Sequence, residues 1–133
     1  MTDERSDPGV GAFAELLGAR RAHLGEGSCR FELTAGPRHL NPYGVVHGGV
    51  VYSLVDYAMG GALTSRLAKG ERCATLEIKI NYLAAAAAGP LEALATVVDR
   101  TNRIGVLEAR VIDGAGRLLA LATGSFYIQA PRA

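Results

Sequence analysis

Between Gly48 and Ala68 the sequence GGVVYSLVDYAMGGALTSRLA runs for about twenty residues with apolar or small side chains on nearly every side and one acidic residue, Asp56, in its middle. The spacing predicts a helix, and a helix apolar nearly all round is one surrounded by protein. Gly48, Gly49, Ser53, Ala58, Gly60, Gly61 and Ala62 would let a sheet approach its backbone closely, although the glycines cost helix propensity. A membrane would be the other home for such a segment. Asp56, Ser53, Thr64, Ser65 and Arg66 are all unfavourable in hydrocarbon, so a transmembrane span is rejected. The rest of the chain must therefore wrap this helix.

The wrapping material reads as strands. After Gly70 the pattern changes to period two: in RCATLEIKINYL, residues Ala74, Leu76, Ile78, Ile80 and Tyr82 share one face, and Thr75, Glu77, Lys79 and Asn81 the other. PLEALATVVDRTN, IGVLEARVIDGAG and RLLALATGSFYIQ follow as three more strands. Asn102 to Gly105 marks one turn, and the Asp113-Gly114 pair signals a hairpin. The alanine run Ala84 to Ala88 bridges a strand end and the loop at Gly89-Pro90. Ahead of the helix, SCRFELTAG reads as a first strand and PRHLNPYGVVHGG as a loop. GAFAELLGARRAHL, with Phe13, Leu16, Leu17 and Leu24, reads as a short amphipathic helix ended by Gly25 and Gly27. The order is short helix, strand, long buried helix, then four antiparallel strands: an α+β chain whose sheet curves around one central helix.

At 133 residues the chain is long enough for one core, so a single domain over 1–133 is expected. Fourteen Lys and Arg against 13 Asp and Glu, with no dense basic run, argue against nucleic acid as a partner. A hydrophobic share of 49% hints at oligomerisation. The polar start MTDERSDPGV lacks the apolar core of a signal peptide, which implies a cytoplasmic address, with about the first eight residues disordered. Cys29 and Cys73 lack metal or disulfide spacing and read as buried thiols.

Two features carry chemistry. A carboxylate in an apolar helix is costly unless it is paired or its environment uses it, so Asp56 either reaches the exposed side or belongs to a site. At the helix entry, VHGGV places two glycines where unpaired N–H groups and the positive end of the helix dipole could polarise a carbonyl and hold an oxyanion. The same glycines could serve only a tight turn. His47 is equally two-sided, and His23 and His39 read as surface residues.

Distance joins the two features. Nine residues of helix separate His47 from Asp56 by roughly 13 Å, too far for both to touch one carbon. If they serve one reaction, they come from two copies of the helix lying antiparallel across a two-fold axis, giving two identical sites per homodimer.

The motif N-x-x-G-x-x-H-G-G followed by L-V-D, here Asn41, Gly44, His47, Gly48, Gly49 and Asp56, resembles the hotdog-fold acyl-CoA thioesterases of the PaaI-like, phenylacetate-pathway type. The likeness runs from about residue 28 to 128. It implies an antiparallel sheet of five to six strands around one long central helix, homodimers that often pair into tetramers, and sites at the dimer interface. It further implies that Asp56 activates water or attacks the thioester carbonyl, while the Gly48 N–H, next to Gly49, polarises it. Asn41 and His47 would position substrate or water, and Thr75 would assist the nucleophile. By the alternation above, Thr75 lies on the polar face of its strand and takes part only if that face borders the interface.

Relatives often carry an Arg-Pro pair where this chain has AAAAAGP, so coenzyme A phosphates would fall to Arg100 or Arg103, or these arginines only solvate a turn. The expected reaction is hydrolysis of an aryl- or medium-chain acyl-CoA without metal or bound cofactor. The alternatives are a non-catalytic acyl-CoA or fatty-acyl binding module and a hotdog hydratase or dehydratase.

Overall fold

The computed structural model describes residues 9–132; the expected disorder of the first eight lies outside the described residues. A short helix α1 (Gly11–Leu17) leads into β1 (Arg20–Gly25) and β2 (Ser28–Ala35). One turn of 3-10 helix, Pro37–His39, precedes the long helix α2 (Gly48–Thr64). Four strands follow: β3 (Arg72–Tyr82), β4 (Gly89–Arg100), β5 (Ile104–Asp113) and β6 (Leu118–Gln129). They form one antiparallel six-stranded sheet in the order β1-β2-β4-β5-β6-β3, wrapped around α2.

The sheet covers α2 on most of its circumference. Leu54, Val55, Ala58, Met59, Ala62 and Leu63 are fully buried and carry the core. The small residues do what their size suggests: a Cβ on Gly61 would stand 2.6 Å from Cys29 Sγ, and one on Gly124 of β6 would stand 2.8 Å from Met59 Sδ. One stripe of α2 stays uncovered by its own chain. Gly49, Tyr52, Ser53, Asp56 and Gly60 lie along it, each exposed or partly exposed.

The hairpin at Asp113 forms as expected. Its carboxylate accepts from the Ala115 and Arg117 amides, both at 2.9 Å, and so closes the turn. Three expectations need correction. The helix over residues 11–24 stops at Leu17, because Gly18 takes the left-handed conformation (φ 76°) that ends helices, and residues 20–25 pair with β2 instead. Leu24 thus sits on a strand. Helix α2 stops at Thr64 rather than Ala68: Ser65 Oγ turns back onto the Ala62 carbonyl at 2.7 Å, and Arg66 and Leu67 bond three residues back. His39 is buried, not on the surface. Its Nδ1 accepts from the Gly36 amide at 3.0 Å, which puts the ring proton on Nε2, 2.7 Å from the Leu17 carbonyl.

Candidate active site

The entry to α2 is built by its own N-cap. His47 is extended (φ −61°, ψ 135°), and its Nδ1 accepts from the Gly49 amide at 2.8 Å. That bond satisfies one of the orphan donors of the first turn and fixes the neutral imidazole with its proton on Nε2. The Val50 amide bonds the His47 carbonyl at 2.9 Å. Among the described residues the Gly48 N–H has no acceptor, so it is the donor of this turn free to meet a carbonyl oxygen.

Tyr82, at the end of β3, donates its hydroxyl to the Gly48 carbonyl at 2.7 Å and holds the first turn from the opposite side. Burial, and then the neighbouring Tyr52, raise the Tyr82 hydroxyl above the usual phenol range, so it stays a donor at neutral pH. A groove of about 520 Å³ opens beside Gly48 and Gly49, walled by Tyr82, Ala84 and Ala86. Asn41 shapes the approach: its Oδ1 accepts from the Tyr43 amide at 2.9 Å and the Val45 amide at 3.3 Å. The loop that leads into α2 uses that oxygen to hold its shape.

Asp56 lies two turns further along α2 and faces a second cavity of about 400 Å³. Thr75 Oγ1 donates to Asp56 Oδ1 at 2.7 Å. Simple alternation had Thr75 on the far face of its strand. A β-bulge between Thr75 and Glu77 reverses the parity, so Cys73 and Thr75 point toward α2 ahead of it, while Ile78 and Ile80 do so after it. Leu76, the extra residue, is 57% exposed. Cys73 also faces this region, but burial, with the Asp56 charge adding to it, pushes its thiol up and keeps it protonated.

The two halves stand apart within one chain. The groove at Gly48 and the cavity at Asp56 share no lining residue. The arginines differ as well. Arg100 pairs with Glu71 at 3.1 Å and also reaches the Arg66 carbonyl, whereas Arg103 is exposed and donates to the Tyr127 hydroxyl at 3.2 Å. Among the described residues no group of three His, Cys, Asp or Glu side chains stands together as metal ligands would. No helix there is long and apolar enough to cross a membrane. Sequence reasoning missed Tyr82 and His39. Tyr82 looked like one more apolar strand position, and nothing local distinguishes a histidine whose two nitrogens will both be bonded.

Comparison with known proteins bears on this geometry. The thioesterase superfamily model matches residues 43–120, from just before the helix entry to the start of β6. A conserved protein of Pseudomonas aeruginosa superposes with a TM-score of 0.86 at 36% identity, covering 90% of this chain and 95% of its own. A mutant of the phenylacetic acid degradation protein PaaI of Thermus thermophilus gives a TM-score of 0.80 at 30% identity, covering 86% of this chain and 96% of its own. The 1,4-dihydroxy-2-naphthoyl-CoA hydrolase of Listeria monocytogenes is 25% identical over 89% of this chain and 96% of its own. With a central helix entered through His47 and the two glycines and wrapped by a six-stranded antiparallel sheet, the chain belongs to the thioesterase superfamily, as a thioester hydrolase of the hotdog, PaaI-like kind.

Proposed function

We propose that the protein hydrolyses an acyl-CoA, aryl or medium-chain, to the free acid and coenzyme A, at two equivalent sites of a homodimer. The observation that carries this reading is the separation of the two halves: Asp56 with Thr75 in one cavity, the free Gly48 N–H in another, and no lining residue shared. One copy holds the carboxylate and the second copy supplies the amide, with the uncovered stripe of α2 facing its twin. Strand β3 supports the pairing, since it ends the sheet and bonds only β6 among the described strands. An open edge of eleven residues invites a second copy to extend the sheet.

In the reaction, Thr75 orients Asp56 through Oδ1, leaving Oδ2 to take a proton from water or to attack the thioester carbon itself. The carbonyl oxygen gains charge and is held by the Gly48 N–H at the positive end of α2. Where Asp56 acts as base, the C–S bond breaks, the proton taken from water passes to the leaving thiolate, and the acid is released directly. Where it acts as nucleophile, the thiolate leaves and takes its proton from solvent, and a water then hydrolyses the acyl-aspartate anhydride to release the acid and restore the carboxylate. Coenzyme A enters as part of the substrate, and the scheme calls on no metal or bound cofactor. Its phosphates are assigned to Arg103, not to Arg100, whose guanidinium is committed to Glu71. Arg103 lies beside Tyr127, next to Phe126, the cross-strand partner of Thr75.

A thiol-release assay across aryl and straight-chain acyl-CoAs tests the reading. Asp56→Asn is expected to lower turnover by at least about a hundredfold, the scale of a lost acid-base group. Undiminished turnover overturns the mechanism.

A further inference from the structure

The cavity at Asp56 gathers all three phenylalanines of the chain, Phe13, Phe31 and Phe126, with two of its five tyrosines, Tyr52 and Tyr57. Phe31 and Phe126 are buried and belong to the core. Phe13 is different. It is 53% exposed, and its ring leans on Tyr57, centroid to centroid 6.2 Å at 23°, while Tyr57 stacks on Phe31 at 5.1 Å. In a single chain a ring left half uncovered adds less to folding than its two buried counterparts. Its position at the rim of the Asp56 cavity is therefore the property to explain.

Helix α1 fixes that position. Ala14 is fully buried, and the Leu17 carbonyl bonds the buried His39 ring, so the C-terminal half of α1 is anchored. Gly9 and Gly11, both at positive φ (80° and 78°), bend the chain so that α1 starts over the cavity. The result is an aromatic row from Phe31 through Tyr57 to Phe13 leading outward beside the carboxylate.

We propose that Phe13 is a specificity-determining residue: it ends the acyl pocket that begins at Asp56 and sets the length of acyl group the site accepts. This rests on the acyl-CoA reading above. An acyl tail whose carbonyl lies at Asp56 runs along Tyr57 and stops at the Phe13 ring. The cavity's 400 Å³ is near the small end for ligand pockets, and Phe13 stands on its rim. Within the pocket each added methylene gains about fourfold in affinity; past its end it gains nothing.

The test reads binding without turnover. Short, medium and long straight-chain acyl-CoAs are titrated calorimetrically into Asp56→Asn, and into the same protein also carrying Phe13→Ala or Phe13→Trp. Affinity is expected to climb about fourfold per methylene and then break. Phe13→Ala moves the break to longer chains by at least about two methylenes, and Phe13→Trp moves it to shorter ones. The two changes act in opposite directions, so general damage to the fold cannot imitate them. A break at the same length in all three proteins overturns the proposal, as does a protein that binds no acyl-CoA. Wild-type thiol release is measured alongside. Binding with a shifting break but no hydrolysis would sink the catalytic reading of Asp56 and leave Phe13 in its role.

Discussion

Thr75 reaches Asp56 because β3 gains one residue at Leu76. Without the bulge, the 2.7 Å hydrogen bond between Thr75 Oγ1 and Asp56 Oδ1 would be replaced by a side chain pointing away from α2. A hydrogen bond to a carboxylate contributes about 1.5–3 kcal/mol. Thr75→Val, which keeps the shape, is therefore expected to lower kcat about tenfold or more with KM nearly unchanged. Thr75→Ser restores the donor and should return most of the rate. Steady-state kinetics on one acyl-CoA decide the matter, and equal rates for the valine and serine variants would remove Thr75 from the site.

The ion pair between Glu71 and Arg100 gives a stability that depends on pH. The Arg100 guanidinium, and after it the Ala68 amide, hold the Glu71 carboxyl below its ordinary value of 4.5. A carboxyl lowered by folding stabilises the native state fully above its unfolded value, and that contribution is lost as pH falls through the folded value. The melting temperature should thus drop on acidification below about pH 4.5 more steeply in the wild type than in Glu71→Gln. At neutral pH the variant should be less stable by about 1 kcal/mol. Parallel melting curves across the acid range would refute this.

The chain's readability follows from where its information is local. Helix α2, β2 and the last four strands announce themselves through period and turn residues, and the site residues at the helix entry do so through the chemistry of a helix N-terminus. The opening segment does not. Ala19, Arg20, Arg21 and Ala22 favour helix, yet pairing with β2 overrides that preference. Gly18 was the one local sign that the helix ends early. The bulge at Leu76 is equally hidden, since apolar alternation continues through it as though the strand were regular. Which residues would share the proposed site is hidden for another reason: His47 caps the start of the helix that carries Asp56, and it is in the proposed homodimer that a second helix would bring their equivalents together.

The β1–β2 turn holds a correctable strain. Glu26 and Gly27 both have positive φ, 50° and 82°, as a type I′ hairpin turn requires, and glutamate is a poor fit there. Asparagine suits the conformation. The Arg66 guanidinium donates to the backbone carbonyl of Glu26, so the Glu26 side chain can change without loss of that contact. Glu26→Asn is expected to stabilise the protein by about 0.5–1 kcal/mol, raising Tm by roughly 2–4 °C. Gly27 must stay, for a Cβ there would stand 2.6 Å from Arg66 Nε. A lower Tm for Glu26→Asn in calorimetry would contradict the assignment of strain.

The proposed division of the site between two copies has a quantitative signature. Asp56→Asn removes the carboxylate, and Gly48→Val places a branched side chain where Tyr82 already stands 3.3 Å from a Cβ, displacing the amide. Each variant alone should be nearly inactive. If the site needs Asp56 from one protomer and Gly48 from the other, a mixed dimer has one site carrying both changes and one carrying neither. Equal mixing after unfolding and refolding makes about half the dimers mixed, each with one intact site of two, so activity should recover to about a quarter of the wild type. If both groups act within one chain, no site in the mixture is intact and nothing recovers. The recovered fraction therefore distinguishes a site shared across the two-fold axis from one contained in a single chain, whatever acyl group is used to measure it.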